Sequence, residues 1–292
     1  MIDSRLATVA VVGVGIVGTS IALALRAHGI RVLLADNSGR AVDIAVRRGA
    51  GERLAEGGPP ADLSVIAVPP ASVPRTLRDA QSRDMALVYT DVSSVKVAPV
   101  HRARELGCDM TGFVPGHPIG NDVASGPGAA RADLFRGRGW VLCPEENTRP
   151  EAVTLVRRLA ELCGAVPVLM DAETHDRIAA LISHAPHLVA SAMAGALADA
   201  APEMLWLGSV GLHDVTRLAA ADPVLWTEIL SENARWVSSV LSDIAANLVD
   251  VCAALQLAGT GDYSFIGDVT TLLRKGRAGQ RRLTEAEHPD KD

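Results

Sequence analysis

From residue 7 onward the chain alternates short, unbroken apolar runs with longer segments whose apolar positions recur every three or four residues. Residues 7–12, 31–35, 63–68 and 86–90 are runs of the first kind, rich in Val, Leu, Ile and Ala. An unbroken apolar run marks a strand covered on both faces, whereas a half-exposed strand would alternate. Residues 16–28, 41–48 and around 73–82 carry the helical spacing, and the first two end at Gly29 and Gly49. The rhythm βαβαβαβ predicts an α/β fold with a doubly wound parallel sheet of Rossmann type. Shorter strands are expected at 112–115, 140–143 and 166–169, with a helix over 151–163.

Near residue 170 the pattern changes. Residues 171–200 are rich in Ala, Leu and Ile at helical spacing and hold one proline. Residues 222–257 repeat that pattern after Asp222-Pro223, an N-cap residue followed by a first-turn proline. A last helix is expected over 264–275, with a charged, frayed tail after Arg277. The chain therefore divides into an α/β domain, 1–170, and an all-helical domain, 171–292.

Composition narrows the class. Of 292 residues 48% are hydrophobic and 21% charged, with a net charge of -6. That length and apolar content support a sizeable core in one large or two modest domains. The acidic balance gives no reason to expect nucleic acid or an anionic membrane as partner, although a small anionic substrate could still find a local basic pocket. The four cysteines form no C-x-x-C pair and are read as reduced thiols. No stretch supplies about 18 uninterrupted apolar residues, and no secretory leader is evident at the start. A cytoplasmic enzyme without a membrane span is expected.

The turn after the first strand is the most informative local feature. Val11-Val12-Gly13-Val14-Gly15-Ile16-Val17-Gly18 is G-x-G-x-x-G between a strand and a helix. Gly13 permits the tight turn, Gly15 lets backbone approach a pyrophosphate, and Gly18 lets helix and sheet pack closely. The helix start at Ile16 and Val17 offers unpaired N–H groups and a positive dipole end to phosphates. Asp36, eighteen residues beyond Gly18, can accept hydrogen bonds from both adenosine ribose hydroxyls and would repel a 2′-phosphate. NAD is thus favoured over NADP, with Arg40 as the one nearby group that could neutralise a phosphate. Val68-Pro69 ends a strand at the carboxyl edge of the sheet, where ligands bind, and joins the cofactor-binding set.

Two further segments suggest the reaction. Thr90-Asp91-Val92-Ser93-Ser94-Val95-Lys96 follows the next strand at the same edge. Ser94 could bond a substrate or a base. Lys96 is read as the first-turn charge of a solvated helix, a cation in the site being the alternative. In Gly116-His117-Pro118 a histidine follows a short strand and sits off any packed apolar face, where its near-neutral pKa suits general-base work.

At these residues the chain resembles the prephenate and arogenate dehydrogenases, the tyrosine-biosynthetic cyclohexadienyl dehydrogenases. Ser94-Val95-Lys96 is similar to the family's S-V-K segment, His117-Pro118-Ile119 to its H-P-[MI], and His175-Asp176 with Ser183-His184-Ala185-Pro186-His187 to its H-D…S-H-x-P-H helix. Asp214-Val215-Thr216-Arg217-Leu218-Ala219 and Asp222-Pro223-Val224-Leu225-Trp226 are similar to D-x-T-R-[IL]-A and D-P-x-x-W. The resemblance implies an NAD-dependent oxidative decarboxylation of a small anionic cyclohexadienyl substrate by a homodimer joined through its helical domain. It also implies His117 as base, Ser94 as the group orienting it, Arg217 as carboxylate clamp, and His187, His184 and Ser183 as substrate-binding residues. The spacing of His184 and His187 would allow a metal, but no third ligand is evident and hydride transfer needs none; no metal is expected. Trp226 is read as a packing residue.

The chain departs from the family pattern at Asn121, Val123, Ser93 and in 208–213. Prephenate, arogenate and 4-amino-4-deoxyprephenate, an aminophenylalanine-pathway substrate, therefore all stay open. A non-catalytic nucleotide-binding relative is the alternative outside enzymes. A 3-hydroxy-acid type of dehydrogenase is disfavoured because residues 171–200 contain no lysine.

Overall fold

In the computed structural model, which describes residues 6–55, 57–120 and 126–287, the unbroken apolar runs become the middle of one parallel sheet. Its strands are β1 (Thr8–Val12), β2 (Arg31–Ala35), β3 (Glu52–Arg53), β4 (Ala61–Ile66), β5 (Ala86–Asp91) and β6 (Phe113–Val114), in the order β3-β2-β1-β4-β5-β6. All neighbours run parallel. The order reverses direction between β1 and β4, and the crevice at that switch is where such sheets bind ligands. Helices α1 (Ile16–Ala27), α2 (Gly39–Arg47), α3 (Val73–Ser82), α4 (Val97–Glu105) and α5 (Pro150–Leu162) supply the cover. Two apolar layers result: Val9, Val11, Leu63 and Val65 join one with Leu25 and Leu155, while Ala10, Ile66 and Phe113 join the other with Leu77.

The expected strand at 112–115 shortens to β6, and a second strand in another sheet follows it. β6 ends at Val114, and after Pro115 the chain enters β7 (Gly116–Pro118), which pairs antiparallel with β8 (Gly139–Leu142); β9 (Val166–Leu169) then pairs parallel with β8. Pro115 has no N–H for a continuous ladder, and it sits at the crossing. Its carbonyl accepts the Cys143 N–H at 2.8 Å. His117 therefore leaves the main sheet at its carboxyl edge and stands opposite Val141 in the small one.

Beyond β9 the chain is helical: α6 (Ala172–Ala179), α7 (Ala185–Gly195), the short α8 (Pro202–Leu205) and α9 (Val210–Thr216), a 3-10 turn at Arg217–Ala220, and α10 (Pro223–Glu232). Between α6 and α7 the helix widens into a π turn, Ala180–His184, where the Ala185 N–H bonds back to Ala180 O. Pro186 follows at once and cannot donate to the ladder, a recognised cause of such disruption. A wide turn acts as one inserted residue. His187 then stands eleven rather than twelve helical positions after His175, about 20° from it around the axis instead of about 120°.

The chain falls into two compact units divided between Trp236 and Val237. The helix expected over 222–257 breaks at Asn233, so that α11 (Ala234–Gly259) starts in the first unit and runs on through the second. The last helix, α12 (Ile266–Glu287), continues well past the expected end at 275. Arg277, Ala278, Gln280, Arg281, Arg282 and Leu283 are strong helix formers, which overrides the expectation of a frayed tail. By mean hydropathy, rather than by unbroken apolar runs, Ala172–Gly195 and Ala234–Gly259 are long and apolar enough to cross a membrane. The first of these, however, carries buried His175, Asp176, His184 and His187 on the face turned into the first unit.

Candidate active site

The turn after β1 is shaped by close approach. Gly13 has φ +97°, and a Cβ there would lie 2.3 Å from the Ala67 carbonyl; a Cβ on Gly18 would lie 2.0 Å from Gly13 O. No larger residue fits either place. Around Gly15 nothing lies within 4 Å of a notional Cβ, so the space in front of α1 is open. Gly15 caps α1 without a side-chain bond, and the first turn has no acidic residue. The N–H groups of Ile16 and Val17 thus face an approach open to an anion. Asp36 Oδ2 accepts the Val14 N–H at 2.8 Å and Oδ1 the Ser38 N–H at 2.8 Å. Each carboxylate oxygen keeps a further lone pair, which a ribose hydroxyl can use. Val68 is half-buried beside Gly13 and Pro69 is exposed. This cradle fits a dinucleotide carrying an unmodified ribose.

A second cluster lies along the β5 and β7 edge. Lys96 is fully buried, which removes the solvated reading of its side chain. Its Nζ donates to Asp91 Oδ2 at 2.5 Å and to Gly116 O at 2.5 Å. Asp91 Oδ1 accepts the Gly116 N–H at 3.0 Å, and Oδ2 also accepts from Ser93 N and Ser93 Oγ. The residue preceding His117 is thereby clamped at both its backbone groups.

His117 is half-buried on β7. Its Nδ1 lies 2.9 Å from His175 Nε2, and His175 Nδ1 lies 2.8 Å from Asp176 Oδ1. Asp176 also takes the N–H groups of Lys96 and Val97 at the start of α4, at 2.8 and 2.9 Å. Loss of hydration holds the His117 imidazole well below its usual pKa, and His175, Lys96 and His184 add to the effect. The ring is neutral at pH 7 and free to accept a proton. The Ser94 hydroxyl, half-buried at the same edge, makes no hydrogen bond with another described residue; the ring nitrogen within hydrogen-bond distance of His117 is that of His175.

The helical segment adds a wall. His184 is fully buried, its Nδ1 3.1 Å from Asn233 Nδ2, which also donates to Asp176 O at 2.7 Å. Burial lowers the His184 pKa to about 4 against the pull of Asp176. His187 stacks on Trp226 with ring centroids 3.6 Å apart and planes 8° apart, and burial lowers its pKa too. Its Nδ1 is buried without a hydrogen-bond partner among the described residues, and so is left for a bound molecule to use. Ser183 is half-buried and Arg217 exposed; the 3-10 turn that Arg217 opens packs on α7, the helix of His187. Arg217 makes no ion pair with a described residue.

Two family models match this chain. One, described as prephenate dehydrogenase, nucleotide-binding domain, covers residues 21–169; the other, prephenate dehydrogenase, dimerization domain, covers residues 171–264. The chain belongs to the prephenate dehydrogenase family. Among its relatives is a probable prephenate dehydrogenase, NovF, of Streptomyces niveus, 38% identical over 94% of this chain and 77% of that one. The cyclohexadienyl dehydrogenase of Zymomonas mobilis is 29% identical over 87% of this chain and 90% of its own. Among solved structures, the prephenate dehydrogenase of A. aeolicus with hydroxyphenyl propionate and NAD+ has a TM-score of 0.79 at 26% identity, covering 94% of this chain and 98% of that one. The Synechocystis arogenate dehydrogenase has a TM-score of 0.72 at 26% identity, covering 94% and 99%.

For this prephenate dehydrogenase family member, the structure brings His117 and Ser94 to one edge, with His184 and His187 on the helix whose earlier turn carries His175. Sequence reasoning gave no role to Asp91, His175, Asp176 or Asn233, and it favoured the solvated reading of Lys96. Asn121 and Val123, the departures nearest His117, lie outside the described residues. His175-Asp176 had a visible signal, its likeness to the family's H-D segment, but its meaning depended on what the helix faced.

Proposed function

We propose that this protein catalyses the NAD-dependent oxidative decarboxylation of prephenate or arogenate, as a homodimer, with residues 1–170 holding the dinucleotide and 171–292 holding substrate and the second copy. The observation that carries this reading is a neutral His117 at the carboxyl edge of the nucleotide-binding sheet, anchored through Nδ1. Family membership supports the reaction, and the A. aeolicus relative was solved with a hydroxyphenyl ligand and NAD+ together. The apolar exposed residues Leu248, Val249 and Leu255 of α11 are suited to a subunit interface, which supports the dimer and gives α11 a role other than spanning a membrane.

Gly13, Gly15, Ile16, Val17, Gly18 and Asp36 hold the cofactor, which when bound supplies the acceptor for a hydride. The protein's own residues handle the proton and the charges. His117 takes the C4 hydroxyl proton as the C4 hydride departs, so the ring carbon becomes a carbonyl rather than a cation. The electrons of the bond to the ring carboxylate then enter the ring, carbon dioxide leaves, and the ring oxygen takes the proton back as a phenol. His117 thus borrows one proton and returns it in each turnover. Arg217, with an uncommitted guanidinium, clamps a substrate carboxylate in the two-pronged way lysine cannot. His187 offers its unpartnered Nδ1, and Ser94 its hydroxyl, to the bound ring.

The direct test is to offer the purified protein NAD or NADP with prephenate, arogenate or 4-amino-4-deoxyprephenate and follow absorbance of the reduced nicotinamide. Turnover with prephenate or arogenate is expected; none with any of the three would refute the function. Replacing His117→Asn should lower kcat about 10²-fold or more, as loss of a general base does; an unchanged kcat would remove it from that role.

A further inference from the structure

We propose that His175 is a positioning residue that fixes the tautomer of His117, placing the hydrogen on Nδ1 and leaving Nε2 as the atom that meets substrate. The role of His117 as base is taken from the function proposed above; its tautomer is a separate property of the folded chain.

The inference follows from hydrogen counting along three side chains. An ionised carboxylate can only accept, so Asp176 Oδ1, 2.8 Å from His175 Nδ1, requires the hydrogen there. With His175 neutral, its one N–H is spent on Asp176 and its Nε2 presents a lone pair. That lone pair faces His117 Nδ1 at 2.9 Å, which must then carry the hydrogen of the second ring. The rings meet edge to edge through these nitrogens, with planes 74° apart, a geometry that permits the hydrogen bond. The opposite tautomer chain would set a bare His175 Nδ1 against the carboxylate, two acceptors at contact distance.

The start of the chain is itself held. The Asp176 carboxylate accepts two backbone N–H groups at the head of α4, and its carbonyl accepts from Asn233. Asp176 therefore cannot rotate to serve as a donor's partner elsewhere without opening the start of α4. The logic parallels the aspartate of serine-protease triads, which sets the tautomer of its histidine and does not itself take the proton. It also suits the stoichiometry above, since a proton returned to the product oxygen needs no route out through His175.

Two measurements test this. In protein labelled with 15N-histidine, the His117 signals, identified by their loss in His117→Asn, should show a protonated Nδ1 and a bare, pyridine-type Nε2. A protonated Nε2 would overturn the proposal, whether or not the enzyme turns over any substrate offered. In kinetics, His175→Leu should cut kcat at least 10²-fold with KM for NAD unchanged. His175→Gln, whose carbonyl can accept from His117 and whose amide can donate to Asp176, should stay within about tenfold of the native kcat. Equal kcat for native protein and His175→Leu would refute it, as would a folded His175→Gln no better than His175→Leu. If His175→Leu does not fold, the 15N signals of the native protein decide the matter alone.

Discussion

Lys96→Met would test how much of the site rests on one buried charge. Methionine nearly matches the length of the lysine stem, so the change removes a charge and its donors while opening little space. In the native protein both side chains of the pair are 1% exposed. Lys96 Nζ serves Asp91 Oδ2 and Gly116 O, each at 2.5 Å. The variant strands a carboxylate without its counterion and a carbonyl without its donor. Breaking a buried pair from one side costs about 3–5 kcal/mol, and an unsatisfied buried carbonyl adds about 1–3 kcal/mol. Against this, Asp91 keeps the Gly116 N–H and both groups of Ser93, which offsets part of the loss. A net destabilisation of about 4 kcal/mol is expected. Urea unfolding reads it directly, as a fall in midpoint of about 1–2 M if the slope is about 2–3 kcal/mol per M. The paired variant Asp91→Asn with Lys96→Met should recover half or more, because a neutral amide needs no counterion. A single variant within 1 kcal/mol of the native protein would refute the account of Asp91 and Lys96 as a coupled clamp on the strand of His117.

Other expectations follow from the same geometry. Replacing Arg217→Ala should raise KM for the substrate with a smaller effect on kcat; unaltered affinity in steady-state kinetics would exclude the clamp. His184, with a pKa near 4 when folded and about 6.5 when unfolded, binds its proton in the unfolded state first. Stability should therefore fall by up to roughly 3 kcal/mol as pH drops from 6.5 to 4, with no contribution from this residue above that window. A His184→Gln variant should show a flatter acid dependence in denaturant titrations, and identical slopes would contradict the assignment. Cys143 and Cys163 are buried, with thiol pKa values pushed up to about 12 by loss of hydration. At pH 8 a disulfide reagent should label Cys143 and Cys163 only after denaturant exposes them; rapid reaction of either in native protein would be inconsistent with its burial.

Much of the molecule was legible because it obeys local rules. A strand covered on both faces must be apolar throughout, so β1, β2, β4 and β5 declare themselves. A turn with φ +97° and a carbonyl 2.3 Å from its missing Cβ admits only glycine, so Gly13 and Gly18 stand out. Lys96 misled, because a lysine at the head of a helix ordinarily points to water, and only the fold reveals the carboxylate and carbonyl awaiting it inside. The π turn was hidden for a related reason. Pro186 warns of disruption, but whether a helix kinks, stops or widens depends on what its two faces must reach.

Composition and spacing alone determined the parallel sheet, the dinucleotide turn, the carboxylate that follows its second strand and a histidine suited to general-base work, since each is set by residues near one another in the chain. Tertiary structure decided which atoms meet. His117 and His175 are 58 residues apart, Lys96 and Asp176 are 80, and no local pattern encodes the distance between them. Hydrogen bonds of under 3 Å between distant residues exist only once the packed layers have fixed the backbone to a fraction of that length, so the residue types of the candidate site were readable from the sequence and the contacts between them were not.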